Sequence, residues 1–325
     1  MFFQGRFVRA TVVLAAVLPG TVAVHSVEVA AQDNYPSKVI RIVTAATGGG
    51  SDVLSRLIAP GLTESLGQQV IVDNRGAIAP EIVAKAPADG YTLLVEGSPL
   101  WLLPLFRPGV PWDAVRDFTP ITLAVTSPSV LVVHPSLPAR SVKELIALAK
   151  ARPGQLNYAA GTIGATPHLA AELFKSMAHV NIVRVGYKGT GPGVVGLLGG
   201  EVELMFPNAG SAMPHIRSGR LRALAVTTPQ PSALVPGVPT LNATVPGYES
   251  SSPQGVFAPA KTPAALVDRL SREIERVLRK PELREKFFNL GGEVAASSPA
   301  EFAAKMKADI ARITKLMRDA NIRAE

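Results

Sequence analysis

The feature that most constrains the fold is an alternation of short β-branched runs with amphipathic helical stretches, which starts near Tyr35. Residues 39–43 form the first run, and after the glycines at 48–50 apolar residues recur at the spacing of one helix face. Further extended runs follow at 71–72 and 91–95. This β-α-β rhythm predicts an α/β protein with a mixed, mostly parallel sheet flanked by helices.

The rhythm changes in the middle of the chain and then starts again. Two extended runs, at 121–125 and 130–134, follow each other with no helix between them. A new α/β series begins at Ser141, which has capping-box spacing to Glu144. Three amphipathic helices finish the chain, and because few strands accompany them we expect them to pack on the first part.

This organisation predicts two lobes, between which the chain crosses near 127–133 and near 250–257. One lobe comprises residues 32–128 plus 253–325, and the other comprises residues 129–252. Each lobe has its own sheet with helices on both faces, and the ligand cleft lies between the lobes.

The amino terminus has the composition of a secretory signal. Arg6 and Arg9 form a positive region, an apolar run spans 10–24, and a small-residue site ends at Ala31. A membrane anchor is disfavoured because the run is short and a Pro-Gly pair interrupts it. The absence of cysteine excludes disulfides and a lipid anchor. We predict that residues 1–31 are a signal peptide, cleaved near Ala31, and that the mature protein is periplasmic.

The chain is basic, with a formal charge of +8 at pH 7. Such a balance is compatible with a nucleic acid or an anionic membrane as partner. However, the basic residues are scattered and interleaved with acids, as where Arg272 and Arg276 flank Glu273 and Glu275. No basic stripe with aromatic residues between the charges occurs. A solvated surface explains the charge, so we expect no nucleic acid as a partner.

Five strand-to-helix turns are rich in glycine and hydroxyl residues, at the position where α/β sheets bind ligands. Glycine lets the backbone approach a ligand closely, and the N–H groups of a helix start attract carboxylates. Each turn alone is also explained as a helix cap, but together they favour a cleft for a small anion. The turns lie at 47–52, 96–99, 161–168, 187–191 and 207–211.

Three ionisable residues in these turns each have two interpretations. Asp52 lies in the first turn of a helix. The simpler interpretation is that its negative charge interacts favourably with the helix dipole, and the other is that it acts as a general base. Lys188 either offsets ligand charge or is an exposed turn residue, and His168 either donates to the ligand or packs at a helix start. The sequence leaves these alternatives open.

The sequence contains no recognisable catalytic or cofactor motif in a fitting context. Residues 191–196 match G-x-G-x-x-G, but no strand ends in an acidic residue about twenty positions later. There is no G-x-S-x-G elbow, no H-E-x-x-H and no P-loop, and the histidines lack metal-ligand spacing. We expect no catalytic residue, no cofactor and no metal. The enzyme alternative is a secreted hydrolase that uses Asp52, His168 or a serine of the cleft.

Nine short motifs occur in order along the mature chain, and they resemble the Bug family, the extracytoplasmic solute receptors of tripartite tricarboxylate transporters. The motifs are Tyr-Pro-Ser-Lys at 35–38, Gly-Gly-Gly-Ser-Asp at 48–52, Asp-Asn-Arg at 73–75, Lys-Ala-Pro-Ala-Asp-Gly-Tyr-Thr at 85–92, Val-Val-His-Pro-Ser at 132–136, Leu-Asn-Tyr at 156–158, His-Leu-Ala-Ala-Glu-Leu-Phe at 168–174, Tyr-Lys-Gly at 187–189 and Arg-Leu-Arg-Ala-Leu-Ala at 220–225.

The resemblance implies a two-lobed, type II-like periplasmic binding fold that closes around one ligand. In similar proteins the ligand carboxylate lies between loops of both lobes, partly through bridging water. Carried over by motif, the ligand-binding residues of the first lobe are Thr47, Gly48, Gly49, Gly50, Ser51, Asp52 and Ser98. Those of the second lobe are Thr162, Thr166, His168, Lys188, Gly189, Thr190 and Asn208.

The implied function is the capture of a small carboxylate by lobe closure and its delivery to membrane permease subunits. We expect a monomer and no enzymatic activity. A sensor that presents the closed form to a membrane kinase stays an alternative. The ligand is a di- or tricarboxylate, an aromatic acid or an amino acid. Two departures from the family pattern bear on it: Thr47 stands where proline is common, and Trp101 either lines the cleft, favouring an aromatic acid, or belongs to the core.

Overall fold

The structure, a computed structural model, describes residues 1–2, 35–161 and 165–319. The chain divides into two compact units, Met1–Tyr35 and Pro36–Glu325. Apart from residues 1–2, the predicted signal peptide lies outside the described residues. None of the helices in the described ranges is both long and apolar enough to span a membrane.

Strands and helices alternate in this unit as the rhythm of the sequence predicts. The strands are β1 (Ile40–Thr44), β2 (Val70–Asn74), β3 (Thr92–Gly97), β4 (Phe118–Pro128), β5 (Val130–Val133), β6 (Asn157–Ala160), β7 (Val183–Gly186), β8 (Leu204–Met205), β9 (Arg222–Val226), β10 (Ser251–Pro259) and β11 (Glu293–Val294). The helices are α1 (Gly50–Leu66), α2 (Ala79–Ala84), α3 (Pro99–Phe106), α4 (Val142–Ala151), α5 (Thr166–Ala178), α6 (Thr190–Leu198), α7 (Ala209–Arg217), α8 (Ala264–Leu278), α9 (Pro281–Asn289) and α10 (Pro299–Asp319).

The strands form two sheets, which confirms the predicted two-lobed α/β class. One sheet has the order β11-β4-β10-β3-β1-β2, and the other has the order β7-β6-β8-β5-β9. We expected mostly parallel pairs, but parallel pairs do not predominate. In the first sheet β1 pairs in parallel with β2 and β3, but β10 pairs antiparallel with β3 and β4, as does β11 with β4. In the second, β6 makes the parallel pairs and β5 the antiparallel ones.

The antiparallel pairs arise from the strands that connect the sheets. The chain passes from the first sheet to the second between β4 and β5, which are separated by Ser129 alone, and it returns with β10. The sequence predicted the second crossing but not β10, because a Pro-rich stretch precedes this strand. β10 runs back beside β4, and this return direction makes the ladder antiparallel.

Helix α1 illustrates how the core forms. Leu54 and Leu62 recur on one face and are buried, and the helix ends at Gly67, which has a left-handed φ of 69°. Gly61 allows α8 to approach, since a Cβ there would lie 2.7 Å from Cγ1 of Val277. Helices α8 and α10 also pack on β4. The C-terminal helices therefore cover the first sheet.

Candidate functional site

A cleft of about 360 Å³ lies where loops of both sheets meet. The residues that line it fall into three groups, named here for use below. The first wall, from loops of the first sheet, consists of Ala45, Gly49, Gly50, Ser51, Glu96, Ser98 and Pro99. The second wall, from loops of the second sheet, consists of Ala165, Thr166, Pro167, Thr190 and Asn208. The crossing residues, near the two connections between the sheets, are Ser129, Ser252 and Gln254.

The cleft brings together seven of the residues predicted from the sequence, namely Gly49, Gly50, Ser51, Ser98, Thr166, Thr190 and Asn208. The predicted residues that lie elsewhere are Thr47, Gly48, Asp52, His168, Lys188 and Gly189. Thr162 lies outside the described residues.

Asp52 is buried behind the first wall and holds its loop in place. Its carboxylate accepts hydrogen bonds from the Gly48 backbone N–H at 2.9 Å, from Arg56 Nε at 2.8 Å and from Asn74 Nδ2 at 2.9 Å. Asn74 also donates to the carbonyl of Ala45 at 3.0 Å. Burial alone would raise the pKa of Asp52, but these bonds together lower it below its usual value. The carboxylate therefore stays ionised and committed to the loop.

Ser51 and Gln254 join the first wall to the second crossing. The Ser51 hydroxyl donates to Oε1 of Gln254 at 2.7 Å. The amide fits against two glycines, because a Cβ at Gly97 would lie 2.9 Å from Gln254 Nε2 and a Cβ at Gly50 would lie 3.2 Å from it. With Oε1 engaged by Ser51, the Gln254 side chain has its N–H groups left to offer to a ligand.

Ser129 brings a buried hydroxyl to the first crossing. Its backbone N–H donates to Oγ1 of Thr227 at 3.0 Å, and its carbonyl accepts from that hydroxyl at 2.9 Å. Its own hydroxyl is buried, with only 1% of the residue exposed, and has no hydrogen-bond partner among the described residues. A buried hydroxyl without a partner is costly unless a ligand or water satisfies it. Ser129 is therefore a candidate ligand contact.

Sequence reasoning missed Ser129, Ser252 and Gln254 because it searched only the turns where helices begin. The available signal was the pair of predicted crossings, since segments that connect two lobes must run beside the cleft between them. Polar residues within those crossings were therefore candidates.

Glu96 is the one ionisable side chain among the described residues that line the cleft. It is the second-last residue of β3 and is 9% exposed. Its Oε1 accepts from the Gly97 backbone N–H at 2.9 Å and, more weakly, from the Ser51 hydroxyl at 3.4 Å, which shares its proton with the shorter bond to Gln254. Burial raises the pKa of Glu96, and the bonds from Gly97 and Ser51 oppose this only in part. The sequence analysis quoted its turn but did not select the residue.

The second wall is built from the starts of α5, α6 and α7. Neither Ala165 before α5 nor Gly189 before α6 provides a side-chain cap, whereas Asn208 caps α7 by accepting the N–H of Ser211 at 3.1 Å. None of the three helices has an acidic residue in its first turn. Helix N-terminal N–H groups have no partner within the helix, so this wall offers hydrogen-bond donors and partial positive charge to the cleft.

Two glycines set the spacing of the loops behind the second wall. Gly189 has a φ of 108°, which glycine adopts without strain. A Cβ at Gly161 would lie 3.2 Å from Cα of Gly189, so the two loops touch through their backbones. The neighbouring Lys188 side chain is exposed. The loop therefore positions Thr190 at the cleft and places the lysine outside it.

His168 lies inside α5, buried behind the second wall. Burial lowers its pKa to about 4, with Glu172 opposing the shift and Arg184 and Lys175 adding to it. The imidazole is therefore neutral near pH 7 and supplies no positive charge to the cleft. Within the described ranges, no group of three or more His, Cys, Asp or Glu residues is arranged to hold a metal ion.

A second pocket of about 560 Å³ adjoins the cleft and shares Ala45, Glu96 and Pro99 with it. Most of its lining is apolar, including Leu100, Leu103, Val110 and Trp112, and Arg107 also lies there. Trp101 does not line either space. It is 1% exposed and packs against Phe257 and Phe302, with ring centroids 6.2 and 5.9 Å apart, so it belongs to the core.

Comparison with known proteins places the chain in one family. Residues 54–322 match the model of the tripartite tricarboxylate transporter family receptor. A protein from the tcbD–tcbE intergenic region of Pseudomonas sp. strain P51 is 38% identical over 292 residues, which cover 88% of this chain and 87% of that protein. BugT of Bordetella pertussis is 36% identical over 295 residues, which cover 88% and 90%. The match to BugT confirms the resemblance to the Bug receptors.

Solved structures agree with these relatives. Rpa4515 of R. palustris, solved with adipate, is 36% identical with a TM-score of 0.75 and covers 90% of this chain and 100% of its own. MatC of Rhodopseudomonas palustris, solved with bound malate, is 27% identical with a TM-score of 0.67 and covers 87% of this chain and 99% of its own. The two-sheet fold, the cleft and these matches together show that the chain belongs to the solute-binding receptors of the tripartite tricarboxylate transporter family.

Proposed function

We propose that the protein captures a small carboxylate in the cleft between its lobes. The observation that carries this proposal is the second wall, where α5 and α6 begin without a side-chain cap and without an acidic residue in the first turn. Such helix starts bind carboxylates through backbone N–H groups and the helix dipole. The hydroxyls of Thr166, Thr190 and Ser129 add donors at the same place.

Two relatives support the class of ligand. Rpa4515 was solved with adipate and MatC with malate, and both ligands are dicarboxylates. No lysine, arginine or histidine lines the cleft among the described residues. We infer that the carboxylate is held by neutral donors and helix dipoles, so that its charge is balanced without an ion pair.

We infer further that binding closes two lobes, residues 32–128 with 253–325 and residues 129–252, around the ligand. Ser129 and Gln254 would then lie against it at both connections. The closed form would deliver the ligand to membrane permease subunits. For this role the chain would be exported, with its signal cleaved near Ala31. We infer no catalytic step, because Asp52 is engaged in three hydrogen bonds behind the wall.

Calorimetry on the mature protein tests the proposal. The panel is succinate, adipate, citrate, benzoate and L-aspartate, with succinamide as a control that keeps the size of succinate but lacks its charge. We expect saturable binding of at least one acid, no binding of the amide, and a higher melting temperature with ligand, because only the folded form binds. If none of the acids binds, the proposed function is wrong.

A further inference from the structure

An ionised Glu96 has the wrong charge for a cleft that binds only anions. It lies on the first wall beside Ser51, at the start of α1, a position that would otherwise favour a ligand carboxylate. Two like charges a few ångströms apart repel each other, most strongly where burial reduces the screening by water. A ligand with negative charge along its whole length therefore conflicts with this wall.

Among the described residues, no lysine, arginine or histidine lines the cleft beside Glu96. Its Oε1 accepts from Gly97 and Ser51, both neutral, and no partner for its Oε2 is found among the described residues. On α1, Arg56 is committed to Asp52 and Asn74, and Asp52 is itself ionised. From α3 and β10, which flank the same end of β3, the lining residues Ser98, Pro99 and Gln254 carry no charge.

Arg107 lines the second pocket, which Glu96 also lines, but it does not line the cleft. Buried carboxylates in proteins are ordinarily paired with a cation or a metal, or are held neutral. Burial raises the pKa of Glu96, in keeping with a carboxylate that has no cationic partner. A ligand that brings its own cation would supply the missing partner.

The two walls also fix which way such a ligand faces. The second wall offers uncapped helix starts without acidic residues, which suit the carboxylate. The first wall offers the Glu96 carboxylate, which suits a hydrogen-bond donor with positive charge. An amine and a carboxylate on one small molecule would thus each meet the wall of opposite sign.

We propose that Glu96 selects ligands that carry a protonated amine beside the carboxylate, so that this receptor takes amino acids in preference to plain di- or tricarboxylates. The inference rests on the proposed function, because it assumes that the cleft binds the carboxylate. The ammonium group donates to Oε2 of Glu96, while the carboxylate is bound by Thr166, Thr190 and the starts of α5 and α6.

Matched pairs of acids that differ only in the amine provide the test. Calorimetry compares L-aspartate with succinate, L-glutamate with glutarate, L-2-aminoadipate with adipate and L-phenylalanine with 3-phenylpropanoate. Because the two acids of each pair have the same chain length, the ratio of their affinities measures the effect of the amine alone. In at least one pair we expect the amino acid to bind roughly tenfold to hundredfold more tightly, as for a buried charge-assisted hydrogen bond. Equal affinities in every pair, or tighter binding of the plain acid, would overturn the inference.

The variant Glu96→Gln removes the charge while keeping the size of the side chain. We expect it to erase the preference, lowering amino-acid affinity while leaving or raising that of the plain acid. Glu285→Gln removes an exposed charge on α9, away from the cleft, and is the matched control with unchanged ratios. A preference that survives in Glu96→Gln would show that another group recognises the amine.

The pH dependence of wild-type binding needs no variant and separates the two possible states of Glu96. An ammonium ligand requires the ionised carboxylate, so amino-acid binding should release a proton and strengthen as the pH rises. If Glu96 instead stays protonated and donates to a second ligand carboxylate, succinate binding strengthens as the pH falls, which contradicts the inference. If the plain acids bind at least as tightly as their amino-acid partners, with the same affinity ratios in wild type and in Glu96→Gln, the inference is overturned and the proposed function stands. Failure of all acids would overturn both.

Discussion

The two walls of the cleft are built in different ways. The first wall is held by side chains: Asp52 binds the loop through Gly48, Arg56 and Asn74, and Ser51 is bonded to Gln254. The second wall consists of three helix starts whose first turns contain no acidic residue, and only Asn208 provides a side-chain cap there. One wall therefore contains carboxylates at or behind its surface, and the other offers the N–H donors of helix starts.

Because of this difference, the two walls suit different chemical groups of a ligand. A symmetrical pair of helix starts would accept a carboxylate on either side, but among the described lining residues only the second wall lacks a carboxylate. The anionic end of a ligand is expected there, and the first wall is left to recognise what else the ligand carries. Variants that change one wall and leave the other intact test this difference.

The strongest test places a carboxylate on the second wall. Asn208→Asp keeps the shape of the side chain and its role as an N-cap, so stability without ligand should be retained. Carboxylate affinity should fall roughly tenfold to hundredfold, because a like charge within a few ångströms of the ligand carboxylate near the protein surface costs about 1–3 kcal/mol. Isothermal calorimetry and thermal unfolding measure the two quantities.

Asn242→Asp is the matched control for that variant. It makes the same change of charge in a 3-10 turn at Leu241–Ala243, where the side chain accepts from the Gly247 N–H at 2.7 Å and does not line the cleft. Its ligand affinity should stay close to wild type. Unchanged affinity in Asn208→Asp would mean that the carboxylate does not lie at the second wall.

The next test removes the charge that holds the first wall. Asp52→Asn should lower the free energy of unfolding by about 2 kcal/mol, because it weakens the charge-assisted bonds from Gly48, Arg56 and Asn74. Chemical denaturation measures the effect. Asp73→Asn is the control, since its ion pairs to Arg41 and Arg75 are partly exposed and are worth about 1 kcal/mol or less.

The comparison of wild type with Asp52→Asn also tests how the free energy of unfolding depends on acidic pH. Because the pKa of Asp52 is lower in the folded protein than in the unfolded chain, its contribution is present above about pH 4 and is lost as the pH falls through the folded value. Wild-type stability should therefore drop more steeply in acid than that of Asp52→Asn. Equal slopes would show that Asp52 is not held ionised by its partners.

The smallest expected effect concerns the backbone of the second wall. Gly189→Ala forces a side chain onto a φ of 108° and should lower stability by about 1–2 kcal/mol while displacing Thr190 from the ligand. Gly191→Ala changes the next glycine, where a Cβ meets nothing within 4 Å, and should leave stability unchanged or raise it by up to about 1 kcal/mol. Similar melting temperatures for the two variants would show that the loop is not tightly held.

Periodicity and glycine turns were enough to predict much of this structure. Leu54 and Leu62 at helical spacing predicted α1, and the turns with Ser51, Ser98, Thr190 and Asn208 predicted residues that line the cleft. Such patterns are local, so a single sequence displays them. Signals of this kind also identified the family.

The remainder depends on contacts between residues far apart in the chain. Asp52 is bonded to Asn74, and Ser51 is bonded to Gln254 more than two hundred positions later, so no local pattern shows where these side chains point. Ser129 lies between two strands without any motif. The burial of Glu96 is also a tertiary property, which is why its turn looked like another anion-binding loop.

The most direct test of the contrast between the walls is a crystal structure with the tightest-binding acid from the matched pairs. The account predicts its carboxylate oxygens about 2.7–3.2 Å from donors of Thr166, Thr190 or the N–H groups at the starts of α5 and α6. Any amine of the ligand should face Glu96. A carboxylate bound only at the first wall, or a ligand outside the cleft, would contradict it.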